Sequence, residues 1–176
     1  MQAKCKNIYL VGLMGAGKTT VGRTLAKRLG WQFFDSDHEI AERTGVSIPT
    51  IFEIEGEAGF RKRESLMIEE LAGLNNIVLA TGGGAVLAEH NRECLRRSGL
   101  VVYLCASPMQ LFERTRHDRN RPLLQVPDPL GRLKELLAER GPLYEELADI
   151  VIDGNRGNAT SAIQQIMCEM DKRCSH

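Results

Sequence analysis

Short apolar runs alternate along the chain with longer segments of mixed polarity. Runs of strand length lie at Ile8 to Val11, Gln32 to Phe34, Ile77 to Ala80, Leu100 to Cys105 and Ile150 to Ile152. Strands that alternate with segments of helical length predict a parallel sheet covered by helices on both faces, an α/β fold. Within the first predicted helix, Val21, Leu25 and Leu29 recur at four-residue spacing before Gly30 stops it. Ser107-Pro108 offers an N-cap and a first-turn proline for a later helix. The stretch from Arg114 to Pro129 breaks the pattern, with four arginines, three prolines and little apolar periodicity, and predicts a mobile surface loop. No repeat or linker divides the 176 residues, a length suited to one domain with a lid.

The first strand runs into Gly12-Leu13-Met14-Gly15-Ala16-Gly17-Lys18-Thr19, which fits G-x-x-x-x-G-K-[ST]. That pattern arises by chance in roughly 0.6% of chains this long, and its place between a strand and an amphipathic helix makes chance rarer still. Its glycines let backbone N-H groups turn inward and, with the helix N-terminus, cradle phosphate oxygens. Lys18 reaches the β- and γ-phosphates, and the Thr19 hydroxyl is placed to ligate Mg²⁺. A nucleoside triphosphate with magnesium, and hence phosphoryl-transfer chemistry, is the expectation.

The second strand closes as Phe34-Asp35-Ser36-Asp37, where strand alternation would point both carboxylates the same way, towards the phosphate loop. One acid could hold the Mg²⁺ water shell and the other accept a hydrogen bond from an acceptor hydroxyl. The competing reading is a turn and an N-cap for a helix starting near His38. Asp153, after the last strand, is an alternative magnesium acid, ranked lower because Gly154 and Asn155 read as a plain turn.

Two arginines stand where apolar residues belong. Arg140 occupies the stripe of Leu133, Leu136 and Leu137, and Arg61 that of Ile68 and Leu71. A charge aimed inward needs an anionic partner, and paired guanidinium forks suit a carboxylate. The plainer alternatives are a helix-terminal cation before Gly141-Pro142 for Arg140, and an i,i+3 salt bridge with Glu64 for Arg61. Gly82-Gly83-Gly84 after the third strand offers either backbone donors to a ligand or simply a sharp turn. A lid arginine such as Arg121 could neutralise charge on the transferring group as the lid excludes water.

Charge narrows the partners. Lys plus Arg and Asp plus Glu are each 23, and the pI is about 6.9, so no whole-surface field draws the chain to nucleic acid or anionic membrane. The arginine-rich loop also lacks aromatics for base stacking. The apolar run Ile8 to Met14 is too short to cross a bilayer. Five cysteines with no C-x-x-C pair predict neither a disulfide framework nor a zinc site, and a reduced, cytoplasmic protein is expected.

Taken in order, the phosphate loop, Asp35-Ser36-Asp37, Phe60-Arg61-x-x-Glu64, Thr81-Gly82-Gly83-Gly84, Arg121-Pro122-Leu123-Leu124 and Arg140-x-x-x-Tyr144 resemble the shikimate kinase family over nearly the whole chain. The resemblance implies a nucleoside-monophosphate-kinase-like P-loop three-layer fold with a five-stranded parallel sheet. It also implies a substrate-binding segment near residues 35–65 and a lid near 114–127. By position, it assigns Gly15, Ala16, Gly17, Lys18, Thr19, Thr20, Arg121 and Arg156 to ATP. Asp37, Arg61, Gly82, Gly83, Gly84 and Arg140 fall to shikimate, and Thr19 and Asp35 to the metal. Lys18, Asp37 and Arg121 would carry the chemistry, with Mg²⁺ and ATP, in a monomer. The rivals are another small-acceptor P-loop kinase, such as a gluconate kinase, and a nucleotide-sensing module without transferase activity.

Overall fold

A computed structural model of the chain describes residues 2–119, 121–154 and 157–174. Five strands, β1 (Asn7–Val11), β2 (Gln32–Asp35), β3 (Ile77–Ala80), β4 (Leu100–Cys105) and β5 (Ile150–Asp153), form one sheet of order β2-β3-β1-β4-β5. All its pairings are parallel. Seven α-helices connect and cover the strands: α1 (Lys18–Leu29), α2 (Ser36–Thr44), α3 (Ile48–Ala72), α4 (Glu89–Ser98), α5 (Pro108–Thr115), α6 (Pro129–Leu147) and α7 (Ala159–Cys174). The α/β three-layer architecture expected from the sequence is therefore present, with each strand within a residue of its predicted span.

Continuous apolar strands arise because both faces are buried, and alternate residues serve different cores. Ile8, Leu10, Val78 and Val102 meet Val21 and Leu25 of α1 and Ile163 and Ile166 of α7. Tyr9, Val11, Leu79 and Tyr103 face Ile68 of α3, Leu95 of α4, and Leu133 and Leu136 of α6. Each such aliphatic side chain withdrawn from water contributes about 1.5–3 kcal/mol, enough in sum to override weak local propensities. β1 lies at the centre of the sheet, so the phosphate loop that follows it emerges between the carboxyl ends of β3 and β4.

Local stop and start signals work as expected at α1, where Gly30 adopts the left-handed conformation (φ 71°), and at α5, where the Ser107 hydroxyl accepts the Gln110 N-H. Two expectations and one competing reading need correction. α6 does not end before Gly141-Pro142 but runs to Leu147, because burial of Tyr144 and Leu147 outweighs the missing proline donor. The stretch from Arg114 is not loop throughout: Arg114 and Thr115 belong to α5, and Pro122–Leu124 form a 3-10 turn.

The third correction concerns the cysteines. Cys5 and Cys174 form a disulfide with Cα atoms 5.8 Å apart, while Cys94, Cys105 and Cys168 are free. Their separation of 169 residues hid the pair, since only the fold brings the turn before β1 against the end of α7. Among the described residues, no helix is long and apolar enough to cross a membrane.

Candidate active site

The phosphate loop holds three glycines in the left-handed region, Gly12 (φ 146°), Gly15 (φ 86°) and Gly17 (φ 95°). At Gly12 space also forbids a side chain, because a Cβ would lie 2.7 Å from the Leu104 carbonyl of β4. Gly17 caps α1 without a side chain, leaving the helix's first N-H groups directed at the loop. Lys18 turns its ammonium onto the carbonyls of Gly12 and Leu13, the latter at 3.1 Å. Desolvation first, and the nearby Arg121 charge second, lower its pKa to about 8.

Asp35 joins this loop to the next element. Its Oδ1 accepts the N-H groups of Asp37 (3.0 Å) and His38 (3.2 Å), and its Oδ2 accepts the Thr19 hydroxyl at 3.0 Å. Capping and facing the phosphate loop are thus both true of Asp35, one oxygen for each. Asp37 is not part of the strand, as alternation had suggested, but sits in the first turn of α2. The two carboxylates still line one cavity with Lys18 and Thr19, because the cap turns the chain back over the loop. Asp37 Oδ1 is buried with no hydrogen-bond partner, and desolvation, reinforced by Asp35, raises its pKa.

The glycine triplet follows β3 beside Asp37. None of its three residues has a positive φ, so a demanding turn does not explain them. Close approach does. A Cβ on Gly82 would lie 2.7 Å from Glu64 Oε2 and 2.8 Å from Asp37 Oδ1, and one on Gly84 would collide with the Arg61 guanidinium.

Arg140 is 2% exposed, mid-helix, with Nε and Nη1 lacking any partner among the described residues. Since α6 continues past it, attraction to a helix terminus does not account for it. Arg61 does make the expected pair with Glu64 (2.9 Å), and reaches Glu57 at 3.4 Å. Glu64 itself is fully buried and its Oε2 has no partner. Desolvation outweighs the Arg61 charge and raises its pKa to about 7. Arg61, Arg140, Gly83 and Gly84 line one cavity with Asp37 and Arg121. The sequence-selected residues therefore converge: the arginine cavity and the phosphate cavity share Asp37, Gly83 and Arg121.

A third cavity continues the phosphate site along α1, with Ala16, Gly17 and Thr20 facing Asp153 and Gly154. Asp153 thus lies on the far side of the loop from Asp35, away from Thr19. Arg156 lies outside the described residues. Two contributors were missed by sequence reasoning. Arg114, assigned to the loop, donates to the Gly15 carbonyl at 2.9 Å and lines both the phosphate-loop cavity and the third cavity. Its position beside Leu111 and Thr115 on the inner stripe of α5 was the available signal. Phe52 lines the arginine cavity from α3, whose helical geometry breaks at Gly56 (φ 72°, ψ 179°), and that break obscured any periodic signal.

A family model described as shikimate kinase matches residues 14–171. The shikimate kinase of Dechloromonas aromatica (strain RCB) is 62% identical over 167 residues, covering 95% of this chain and 91% of that protein. A solved shikimate kinase from Acinetobacter baumannii in complex with shikimate superposes with TM-score 0.93 at 52% identity, covering 96% of this chain and 94% of that one. A gluconokinase from Sinorhizobium meliloti 1021 reaches TM-score 0.60 at 17% identity over 97% of this chain, a likeness of fold alone.

Proposed function

This chain belongs to the shikimate kinase family, and from that premise we propose that it transfers the γ-phosphoryl group of ATP to the 3-hydroxyl of shikimate, giving shikimate 3-phosphate and ADP for aromatic amino-acid biosynthesis. The observation that carries the reading is Arg140, a buried guanidinium with two unpartnered nitrogens in a cavity that also holds Arg61 and Asp37. Burial works against its charge, and a substrate carboxylate between the two arginines offsets that cost.

In the proposed reaction, residues 35–65 hold the acceptor and the lid of 114–127 closes over both substrates. The carboxylate of shikimate meets Arg61 and Arg140, its hydroxyls meet Asp37 and the N-H groups of Gly83 and Gly84, and the 3-hydroxyl faces the phosphate loop; the Gly82 N-H, expected to join them, is instead taken by Ser36 Oγ. Asp37 accepts the hydrogen bond of that hydroxyl and takes its proton as the new O-P bond forms. Its raised pKa suits it to do so. Residues Gly15 to Thr20 cradle the triphosphate, Arg114 adds a cation beside Gly15, and Lys18 and Arg121 neutralise charge on the transferring group. Because the transition state is loose, position and charge contribute more than base strength.

The Thr19 hydroxyl and Asp35 carboxylate are hard oxygen donors side by side, which suits Mg²⁺ held mainly by phosphate oxygens and water. Thr19 would ligate it and Asp35 would hold its water shell. The ion supplies neutralisation of β- and γ-phosphate charge. Monomeric, cytoplasmic action is part of the same proposal, checked by light scattering and cell fractionation.

An ADP-release assay across shikimate, gluconate and nucleoside monophosphates tests the reading. Release dependent on shikimate alone is expected. Equal or greater release with another acceptor, or ATP binding without acceptor-dependent turnover, overturns it.

A further inference from the structure

The glycine triplet owes its orientation to four hydrogen bonds. Ser36 Oγ accepts the Gly82 N-H at 3.0 Å, the Gly82 carbonyl accepts from Ala85 N-H at 3.0 Å, and the Gly84 carbonyl accepts from Leu87 N-H at 3.1 Å. The fourth comes from α6: the hydroxyl of Tyr144, one turn beyond Arg140, donates to the Gly83 carbonyl. All three carbonyls are thereby engaged, while the N-H groups of Gly83 and Gly84 make no hydrogen bond among the described residues.

We propose that Tyr144 is a positioning residue for the acceptor, its hydroxyl fixing the Gly83-Gly84 peptide so that the Gly84 N-H points into the arginine cavity. The peptide is trans, so its C=O and N-H point in opposite directions. Tyr144 is fully buried and does not line that cavity, whereas Gly84 does. A carbonyl drawn towards Tyr144 therefore sends the paired N-H outward. Two glycines flank this peptide, and neither carries a Cβ that would bias its rotation, so a hydrogen bond has to set it. The phenol is itself immobilised: its ring stacks on Tyr103 of β4, with centroids 5.0 Å apart. Burial raises its pKa, so it remains a donor throughout the neutral range. The inference rests on shikimate being the acceptor and assigns a role to a residue that never touches it.

The test is Tyr144→Phe, which removes one hydroxyl and keeps the stacked ring. Loss of an aligned main-chain donor, worth about 1 kcal/mol, should raise Kd and KM for shikimate about fivefold. KM for ATP should stay within about twofold, as the phosphate loop is anchored separately. Tyr103→Phe, which alters the same ring pair without touching the triplet, should leave both constants unchanged. Para-aminophenylalanine at position 144 retains a donor on the ring, and should restore shikimate binding. That variant also keeps the question open to test if the Phe variant folds poorly. An unchanged shikimate Kd in a folded Tyr144→Phe protein, or a parallel rise in both substrates' KM, overturns the role. Wild-type protein without shikimate-dependent turnover would instead overturn the function beneath it.

Discussion

Arg121 Nη1 lies 3.8 Å from Asp37 Oδ2, so a lid arginine and an aspartate of the first turn of α2 meet directly across the site. Asp118 holds the same guanidinium at Nε, 3.2 Å away. An acceptor hydroxyl reaching Asp37 must share or displace this contact, which couples acceptor binding to lid position. Asp37→Asn keeps the shape and removes the proton acceptor, and is expected to lower kcat about 10²-fold or more in steady-state assays with little change in KM for ATP. Arg121→Ala should lower kcat by at least a similar factor, about 10²-fold, because a cation facing the transferring group is lost.

Arg140→Ala should raise KM for shikimate far more than KM for ATP. Loss of charged hydrogen bonds worth about 1.5–3 kcal/mol corresponds to roughly 10- to 150-fold in kcat/KM. A shikimate analogue with an amide in place of its carboxylate should bind the variant and the wild type alike, and competition titrations check this.

Glu64 makes stability depend on pH. Its pKa is raised from 4.5 to about 7, so between these values the folded protein binds more protons than the unfolded chain. Stability therefore falls as pH rises through that window, the reverse of a salt-bridged carboxylate with a lowered pKa. Glu64→Gln should flatten the fall in Tm between about pH 5 and 7, as read by thermal melts at constant ionic strength.

Cys174→Ser opens the Cys5–Cys174 link, which spans 169 residues of chain. Loop-closure entropy for so long a span reaches about 5 kcal/mol, and native disulfides typically contribute about 2–4 kcal/mol. Unfolding free energies of the variant and wild type from urea titrations should differ by an amount in that range under oxidising conditions and converge when the wild type is reduced. Thiol titration of the wild type, unfolded without reductant, should count the three free cysteines, Cys94, Cys105 and Cys168.

Much of the fold was legible because strands buried on both faces leave uninterrupted apolar runs, as Ile77 to Ala80 does, and because Gly30 and Ser107 act within one turn of their own positions. Arg140 was legible as an exception to its stripe. What escaped depends on distance along the chain or on tertiary packing. No local signal pairs Cys5 with Cys174 or extends α6 through Pro142, where burial of Tyr144 and Leu147 decides the outcome. Asp37 was placed correctly for a reason that failed, since the cap by Asp35, not strand alternation, turns it inward.

The glycine triplet has a consequence for inhibition. The donors of Gly83 and Gly84 belong to the main chain, so no substitution other than proline deletes them. At Gly82 and Gly84 any side chain would also crowd Asp37 and Glu64, or Arg61, respectively. A compound anchored on those two N-H groups would leave resistance few routes at Gly82 and Gly84, since a mutation that blocks it there also disturbs the groups proposed to receive the natural acceptor.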